Sequence, residues 1–315
     1  MGHGKEAKTR PDPKVEIQEK GEIFFFYRPK VGKDGAHSPD DVQRMYIVLR
    51  PDATGGDRAA VEEKQSPDSG KEGHKQQHQK NNTESGAGEG GHGKEVEVNI
   101  EEKPLLRLIV MGKKSLPDPS KRSRPYWGYV ELVTTNVDHI KDALKEEEYS
   151  TATRGTRRRA AARAMGEGVY RILKHDAPRG VHTHLVYKLE LPSARHDAGD
   201  IAGEPPPQEA MINVEPEASY LIQIKNPEQP PPQSSGGGGF RGIPSKRRAA
   251  FPAHLQGRFG NSRRYAAADP PDLLNYEGCE LLLIAASDDV EEELGLELEL
   301  ETETETAAGC SPRIW

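Results

Sequence analysis

The sequence contains few cysteines, few aromatic residues and no long apolar run. Its 315 residues include 6% aromatics and only two cysteines, Cys279 and Cys310. These two are far apart and no secretory signal precedes them, so we expect free thiols rather than a disulfide. No run approaches the roughly 18–20 apolar residues of a membrane span. We therefore expect a soluble intracellular protein, in the cytoplasm or the nucleus, that does not enter the membrane.

Common signatures of catalysis are also missing from the sequence. It has no GxxxxGK[ST] phosphate loop, no GxGxxG fingerprint, no HExxH helix and no GxSxG elbow. Two cysteines are too few for paired CxxC zinc ligands. These absences favour a non-enzymatic protein without a cofactor, although they leave an enzyme possible.

Apolar residues are scarce and clustered. Hydrophobic residues make up 33% of the chain and charged residues 30%, whereas globular chains are roughly 45–50% apolar when glycine is included. The segments between the clusters bury too little apolar surface to offset the entropy lost on ordering. We therefore predict a disordered leader at 1–20, a single β-rich domain at 21–287 with disordered inserts at about 52–95, 193–210 and 227–239, and an acidic tail at 288–315.

The apolar clusters have the length and period of strands. In GEIFFFYRPK, Phe24 and Phe26 fall on one face while Phe25 and Tyr27 fall on the other. This pattern predicts a central strand covered on both sides; the alternative is an exposed aromatic patch that binds a partner. Seven further segments read as strands: 44–50, 105–111, 125–135, 168–175, 182–192, 218–226 and 279–287.

One helix signal stands out among these strands. NVDHIKDALKEEEY places Val137, Ile140 and Leu144 on one stripe after Asn136, a favourable N-cap. A second, arginine-studded helix is predicted within 150–166. Since most strands follow one another without an intervening helix, the fold class is mainly β (α+β). We expect an antiparallel β sandwich or barrel-like sheet with one or two packed helices.

Charge is distributed unevenly along the chain. The net charge is −7, yet residues 113–124, 154–175 and 241–264 carry +4, +6 and +7, whereas the tail holds ten acids and no base between 288 and 305. Guanidinium groups pair with phosphates, and aromatic residues interleave with the last basic segment, so an anion-binding surface is one interpretation. Ion pairing within the chain and simple solvation are the others. The candidate residues are Lys121, Arg122, Arg124, Arg157, Arg158, Arg159, Arg247, Arg248, Arg263 and Arg264.

A second candidate site is the pair His182 and His184. Two histidines two residues apart on a strand share a face, as a chelating pair requires. A metal would need further ligands, for which His175 and His254 are candidates. The alternative interpretation is a solvated or hydrogen-bonded histidine pair.

Several ordered blocks carry a resemblance to other sequences. They are GEIFFFYRPKV, SPDDVQRMYIVLRP, KSLPDPSKRSRPYWGYVELVTT, HTHLVYKLELP, EPEASYLIQIKNP and FPAHLQGRFG with the DPPDLLNYEGCELLLIAASDD that follows. In these blocks the chain resembles an uncharacterised plant protein family. The resemblance spans roughly 15–300, skips the inserts, and implies a shared domain without implying any activity.

These observations lead to one main functional hypothesis and two alternatives. The main hypothesis is a non-enzymatic module that binds a protein partner or a polyanion through its basic loops, with the acidic tail as a competitor for them. One alternative is an RNA-binding protein. The other is a metal-dependent or small-molecule enzyme centred on His182 and His184.

Overall fold

The chain folds around a closed barrel of eight antiparallel strands. The computed structural model describes residues 5–8, 15–52, 105–121, 124–177, 180–191, 214–229, 243–287 and 289–299. Its helices and strands, in chain order, are β1 (Lys5–Lys8), β2 (Val15–Pro29), β3 (Val42–Pro51), β4 (Leu106–Met111), β5 (Tyr126–Thr134), α1 (Val137–Leu144), β6 (Glu147–Thr151), β7 (Gly155–Arg159), β8 (Arg163–Ala177), β9 (Gly180–Leu191), β10 (Glu217–Lys225), α2 (Ala253–Gln256), β11 (Tyr265–Ala267), β12 (Glu280–Ser287), α3 (Val290–Leu294) and β13 (Leu296–Glu299).

Around the barrel the strands follow the order β2, β3, β4, β5, β12, β10, β9 and β8, and β8 pairs again with β2. These eight strands correspond to the eight predicted segments, so the barrel-like antiparallel prediction is confirmed. Because neighbours are antiparallel, connections alternate between the two ends of the barrel. We call the end with the β2–β3 and β4–β5 connections the upper end, and the end with the β10–β12 connection the lower end.

The barrel interior is filled with side chains. One buried cluster includes residues of all eight strands, among them Phe25 and Tyr27 of β2. Phe24 and Phe26 belong to a second cluster on the outer face. All four are at most 8% exposed. The FFFY segment is therefore a central strand covered on both sides, and the alternative of an exposed aromatic patch is wrong.

The long β10–β12 connection packs against the lower part of this core. It contributes Leu255, Phe259, Leu273 and Leu274, each at most 2% exposed, to the interior cluster. Side chains from a connection thus complete the packing that the strands begin, which stabilises the barrel by removing further apolar surface from water.

Helix α1 covers the outer face of strands β2 to β5. Ile140 and Leu144 pack against the outer cluster, and the Asn136 side chain accepts a hydrogen bond from the backbone N–H of Asp138 at 2.9 Å. The predicted helix, its stripe and its N-cap are therefore confirmed. Within the described ranges, no helix is long and apolar enough to cross a membrane.

The second predicted helix, within 150–166, is wrong. Residues Glu147–Arg159 instead form the β6–β7 hairpin, and β8 begins at Arg163. The segment forms a hairpin because it contains residues that favour strands and a glycine at the turn. Tyr149, Ser150 and Thr151 favour extended backbone, and Gly155 takes a positive φ of 65° at the turn, a conformation that glycine adopts without strain.

The predicted boundaries change at both ends of the domain. Strand β2 begins at Val15, and Lys5–Lys8 pair with Leu296–Glu299, so the predicted leader at 1–20 is partly strand. The first part of the acidic tail packs onto the outer face of β8 and β9 through Val290, Leu294 and Leu298. Burial of these apolar side chains holds α3 and β13 in place despite the surrounding acids. Except for Asp52 and residues 227–229, the predicted inserts lie outside the described residues.

Candidate binding surface

The candidate anion-binding residues occupy both ends of the barrel. Lys121 and Arg124 lie in the β4–β5 connection at the upper end, and β7 precedes β8, which also starts there. The β10–β12 connection, at the lower end, contains the third basic segment. The three segments therefore start from different ends of the barrel, although Arg247 of the third pairs with Glu131, which lines the same cleft as Arg159 of the second. Strand β7 carries Arg157, Arg158 and Arg159. The β10–β12 connection carries Arg247, Arg248, Arg263 and Arg264. Arg122 lies outside the described residues.

Ion pairs within the hairpin neutralise part of its charge. Arg158 Nη2 lies 2.5 Å from Glu146 Oε2, and Arg159 Nη1 lies 2.8 Å from Glu147 Oε2. The hydrogen bond and charge of Glu146 raise the pKa of Arg158 above its usual value. The interpretation of intramolecular pairing is therefore correct for these two arginines, as it is for Lys121, which pairs with Asp118 at 2.6 Å.

Two other arginines of the hairpin have no ion-pair partner among the described residues. Arg157 lies opposite Tyr149 in the β6–β7 register, and Arg154 is exposed at the turn. Neither side chain makes an ion pair within the part of the chain that the structure describes. The hairpin consequently presents two available guanidinium groups beside two neutralised ones.

A cleft separates the hairpin from the outer face of the barrel. Its volume is about 420 Å³, within the range of about 300–1,000 Å³ that is common for ligand sites. We call it the α1 cleft, because the C-terminal end of α1 forms one wall. Its apolar part consists of Tyr46, Leu108, Val110 and Ala143, and its charged part of Arg28, Arg44, Glu131, Asp142, Lys145, Glu146, Glu147 and Arg159.

Arg28 is the buried cation of this cleft. Its side chain belongs to a residue that is only 3% exposed. It donates hydrogen bonds to the carbonyl oxygens of Ala143, Lys145 and Ala160 at 2.9, 2.9 and 2.6 Å. Its Nε donates to the Tyr46 hydroxyl at 3.1 Å. A cation at the C-terminal end of a helix satisfies carbonyls that lack intrahelical partners. Arg28 thus holds α1 and the β7–β8 connection to the barrel.

Arg44 is the second cation on the inner side of the cleft, and unlike Arg28 it does not hold other elements to the barrel. It is directly opposite Arg28 in the β2–β3 register and on the same outer face. Its side chain is exposed and, in the ranges that the structure covers, makes neither an ion pair nor a hydrogen bond. Two like charges opposite each other destabilise a strand pair, so an anion bound here would relieve that repulsion.

The lower basic segment reaches the same cleft from the other side. Arg247 Nη2 lies 2.8 Å from Glu131 Oε1, and its guanidinium carbon is 5.8 Å from the centre of the Tyr129 ring. Burial, followed by the Glu131 carboxylate, raises the pKa of Tyr129 to about 12. Glu131 is therefore neutralised by Arg247, and Tyr129 keeps its proton at neutral pH.

The two candidate metal ligands lie elsewhere, on the outer face of β9. His184 is 2% exposed beneath α3, with Nδ1 3.0 Å from Ser219 Oγ and 3.8 Å from Glu293 Oε1. Burial lowers its pKa to about 3, so its contact with Glu293 is not an ion pair at neutral pH. His175 faces His182 across the β8–β9 register.

The metal site predicted at His182 and His184 stays a prediction. The described residues contain no group of three histidine, cysteine, aspartate or glutamate side chains arranged to hold a metal ion. Helix α3 covers His184, and its Nδ1 already has Ser219 Oγ as a hydrogen-bond partner. The hydrogen-bonded alternative describes His184 correctly.

Sequence reasoning missed Arg28 and Arg44, the two cations on the inner side of the cleft. Each flanks an apolar strand, and such arginines usually mark the point where a strand reaches solvent. Their opposition follows only from the β2–β3 register. A signal was available for the hairpin, because Glu147 and Glu148 mirror Arg158 and Arg159 about the turn, as a cross-strand ladder requires.

Comparisons with known proteins identified no relative of this chain. No protein-family model, curated protein or solved structure matches the chain. The resemblance to a plant protein family therefore stays a prediction.

Proposed function

We propose that this protein is a non-enzymatic module that binds an acidic segment of a protein partner through the β6–β7 hairpin and the adjoining α1 cleft. The observation that carries the proposal is the pair Arg154 and Arg157, whose charges are not neutralised by the carboxylates that neutralise Arg158 and Arg159. Such charges at the rim of an interface steer an oppositely charged partner.

The mixed charge of the cleft favours a protein over a nucleic acid. Glu131, Asp142, Glu146 and Glu147 line it together with the cations, and a continuous phosphate backbone would meet these carboxylates. Protein surfaces that bind nucleic acid are much more positively charged than protein–protein interfaces, whereas protein–protein interfaces have a polar rim and are enriched in aromatic residues and arginine. RNA is therefore the comparator against which binding of an acidic peptide is measured.

The part of the acidic tail that follows Glu299 is the proposed competitor for this surface. Residues 289–299 belong to the fold, but the chain continues with Glu301, Glu303 and Glu305. These acids have the same charge as the partner segment. Cutting the chain after Ser287 would remove α3, so the informative truncation ends at Glu299.

The test measures binding of a fluorescein-labelled oligo-glutamate peptide over a salt series, with single-stranded RNA of mixed sequence as the comparator. The full chain and the chain ending at Glu299 are compared. We expect the peptide to bind in a salt-dependent way and more tightly to the truncated chain. Tighter binding of RNA than of peptide would overturn the choice of partner, and equal affinity of both chains would overturn the competing tail.

A matched pair of charge reversals locates the surface. Reversing Arg154 and Arg157 to glutamate should weaken peptide binding about tenfold. The same reversal at Arg263 and Arg264, exposed at the lower end, should have little effect. Equal losses in both double variants would show that only overall charge matters.

A further inference from the structure

The carboxylates that line the α1 cleft all have cationic partners. Each of the four pairs with a lysine or an arginine, and the pairs are Glu131 with Arg247, Asp142 with Lys145, Glu146 with Arg158 and Glu147 with Arg159. The four N–O distances lie between 2.5 and 2.8 Å. These carboxylates are therefore already engaged and do not neutralise the remaining cations of the lining.

Two cations of the lining, Arg28 and Arg44, have no carboxylate partner among the described residues. They lie directly opposite each other on β2 and β3, and the Cβ atoms of such opposed residues are about 4.5–5.5 Å apart. The carbonyl oxygens and the Tyr46 hydroxyl around Arg28 satisfy its hydrogen-bond donors but do not cancel its charge. The inner side of the cleft therefore carries two positive charges that a bound anion would neutralise.

The same side of the cleft has hydrogen-bond donors that lack acceptors. Arg44 is exposed, and none of its N–H groups has an acceptor among the described residues. Tyr46 follows on the same face of β3 and is only 6% exposed. Its hydroxyl accepts a hydrogen bond from Arg28 Nε at 3.1 Å, and its own hydrogen has no acceptor in the ranges that the structure covers. A guanidinium group and a hydroxyl are thus both available to donate to an anion beside the buried charge of Arg28.

A phosphate monoester matches this combination of charges and donors. It carries a charge of about −1.5 to −2 at pH 7 and presents more acceptor oxygens than a carboxylate does. The guanidinium group of an arginine pairs with two phosphate oxygens at once. The volume of the cleft, about 420 Å³, leaves room for a phosphorylated side chain.

We propose that the α1 cleft binds a phosphorylated serine or threonine within the acidic segment of the partner. The phosphate pairs with Arg44, accepts a hydrogen bond from the Tyr46 hydroxyl, and neutralises the charge of Arg28. This proposal rests on the proposed function, since it names a feature of the segment that the hairpin attracts. The hairpin attracts any acidic chain, whereas the cleft distinguishes a phosphorylated chain from an unphosphorylated one.

The test measures binding of two fluorescein-labelled oligo-glutamate peptides to the full chain. The peptides differ only at one central position, which is phosphoserine in one and glutamate in the other. At about pH 7.5 we expect the phosphoserine peptide to bind about tenfold more tightly, the effect of one additional charged hydrogen bond. Because the second pKa of the phosphate is about 6, only about a quarter of it is doubly charged at about pH 5.5, and the preference should fall to about threefold. A preference that does not fall with pH would overturn the proposal.

Two variants of β3 and a competitor locate the site. Arg44→Gln should remove the preference for phosphoserine. Arg50→Gln is the matched control, because Arg50 is on the same strand but pairs with Glu22 at 3.0 Å, and it should leave the preference intact. Inorganic phosphate, added at the concentration that half-saturates the chain with the phosphoserine peptide, should displace little of that peptide. Efficient displacement would assign the cleft to a free anion and overturn the proposal.

The outcomes also separate this proposal from the proposed function. Equal binding of both peptides to the unmodified chain, or a preference that persists in Arg44→Gln, would overturn the phosphate site while the hairpin function stands. Failure of both peptides to bind would overturn the two proposals together.

Discussion

A buried ion pair inside the barrel offers the sharpest test of the structure. Arg107 and Glu19 face each other in the interior, with Nη1 2.5 Å from Oε1 and Nη2 2.8 Å from Oε2, and they are 0% and 4% exposed. Tyr170 donates from its hydroxyl to Glu19 Oε1 at 2.8 Å, and Arg107 Nε donates to Asn275 Oδ1 at 2.7 Å. The pair is therefore bidentate, and both partners have further hydrogen bonds.

Removing one member of this pair should be far more costly than removing both. Glu19→Gln leaves the Arg107 charge buried without a counter-ion, and we expect a loss of about 3–5 kcal/mol in the free energy of unfolding. Arg107→Met combined with Glu19→Gln removes both charges, so the double variant should be more stable than Glu19→Gln alone. The expected coupling energy is about 2–3 kcal/mol.

Urea denaturation of the full chain measures these differences, provided that the dependence of the unfolding free energy on urea is the same for all variants. The control cycle uses Glu22 and Arg50, which pair at 3.0 Å between β2 and β3 but are 21% and 27% exposed. Its coupling should stay below about 1 kcal/mol. If the Glu19–Arg107 cycle gave no larger coupling than this control, the buried pair would not exist as described.

Two further predictions concern pH and backbone geometry. Burial lowers the pKa of His184 to about 3, so the unfolded chain takes up that proton first as the pH falls. The free energy of unfolding should therefore fall by up to about 1.4 kcal/mol for each pH unit between about 6.5 and about 3. His184→Gln should give a correspondingly flatter stability profile between neutral and mildly acidic pH, and an unchanged slope would contradict this. Gly278 and Gly32 both have positive φ, 80° and 83°, but a Cβ at Gly278 would lie 1.8 Å from a backbone oxygen while one at Gly32 would meet nothing. Gly278→Ala should therefore lower the melting temperature much more than Gly32→Ala, and similar effects would contradict the close approach.

The barrel strands were predictable because their residues are apolar on both faces. Phe24 to Tyr27 show why: alternate side chains enter the interior or pack beneath α1, so every position is buried. The beginning of β2 was not predictable in this way, since it includes Glu19. A charged residue in a strand indicates a solvent-exposed position unless its partner is known. The partner of Glu19 is Arg107, which is 88 positions away along the chain.

The hairpin and the cleft show a different limit of sequence reasoning. Arginines and alanines at 154–166 favour a helix locally, but the cross-strand pairing of Glu147 with Arg159 stabilises the extended form. The cleft depends on two contacts between elements, the opposition of Arg28 to Arg44 and the packing of α1 against β4. No local pattern encodes such contacts.

The location of the cleft follows from how the barrel is filled. An eight-stranded barrel either packs its interior with side chains or encloses one small ligand. Here Tyr27, Tyr170, Tyr187 and Tyr220, each at most 1% exposed, fill the interior together with the Glu19–Arg107 pair. The surface that we propose for binding is therefore on the outside of the barrel. There Arg44 is exposed beside Arg28 and makes no ion pair with any residue that the structure describes, so we propose the cleft, rather than the barrel interior, as the place where a partner binds.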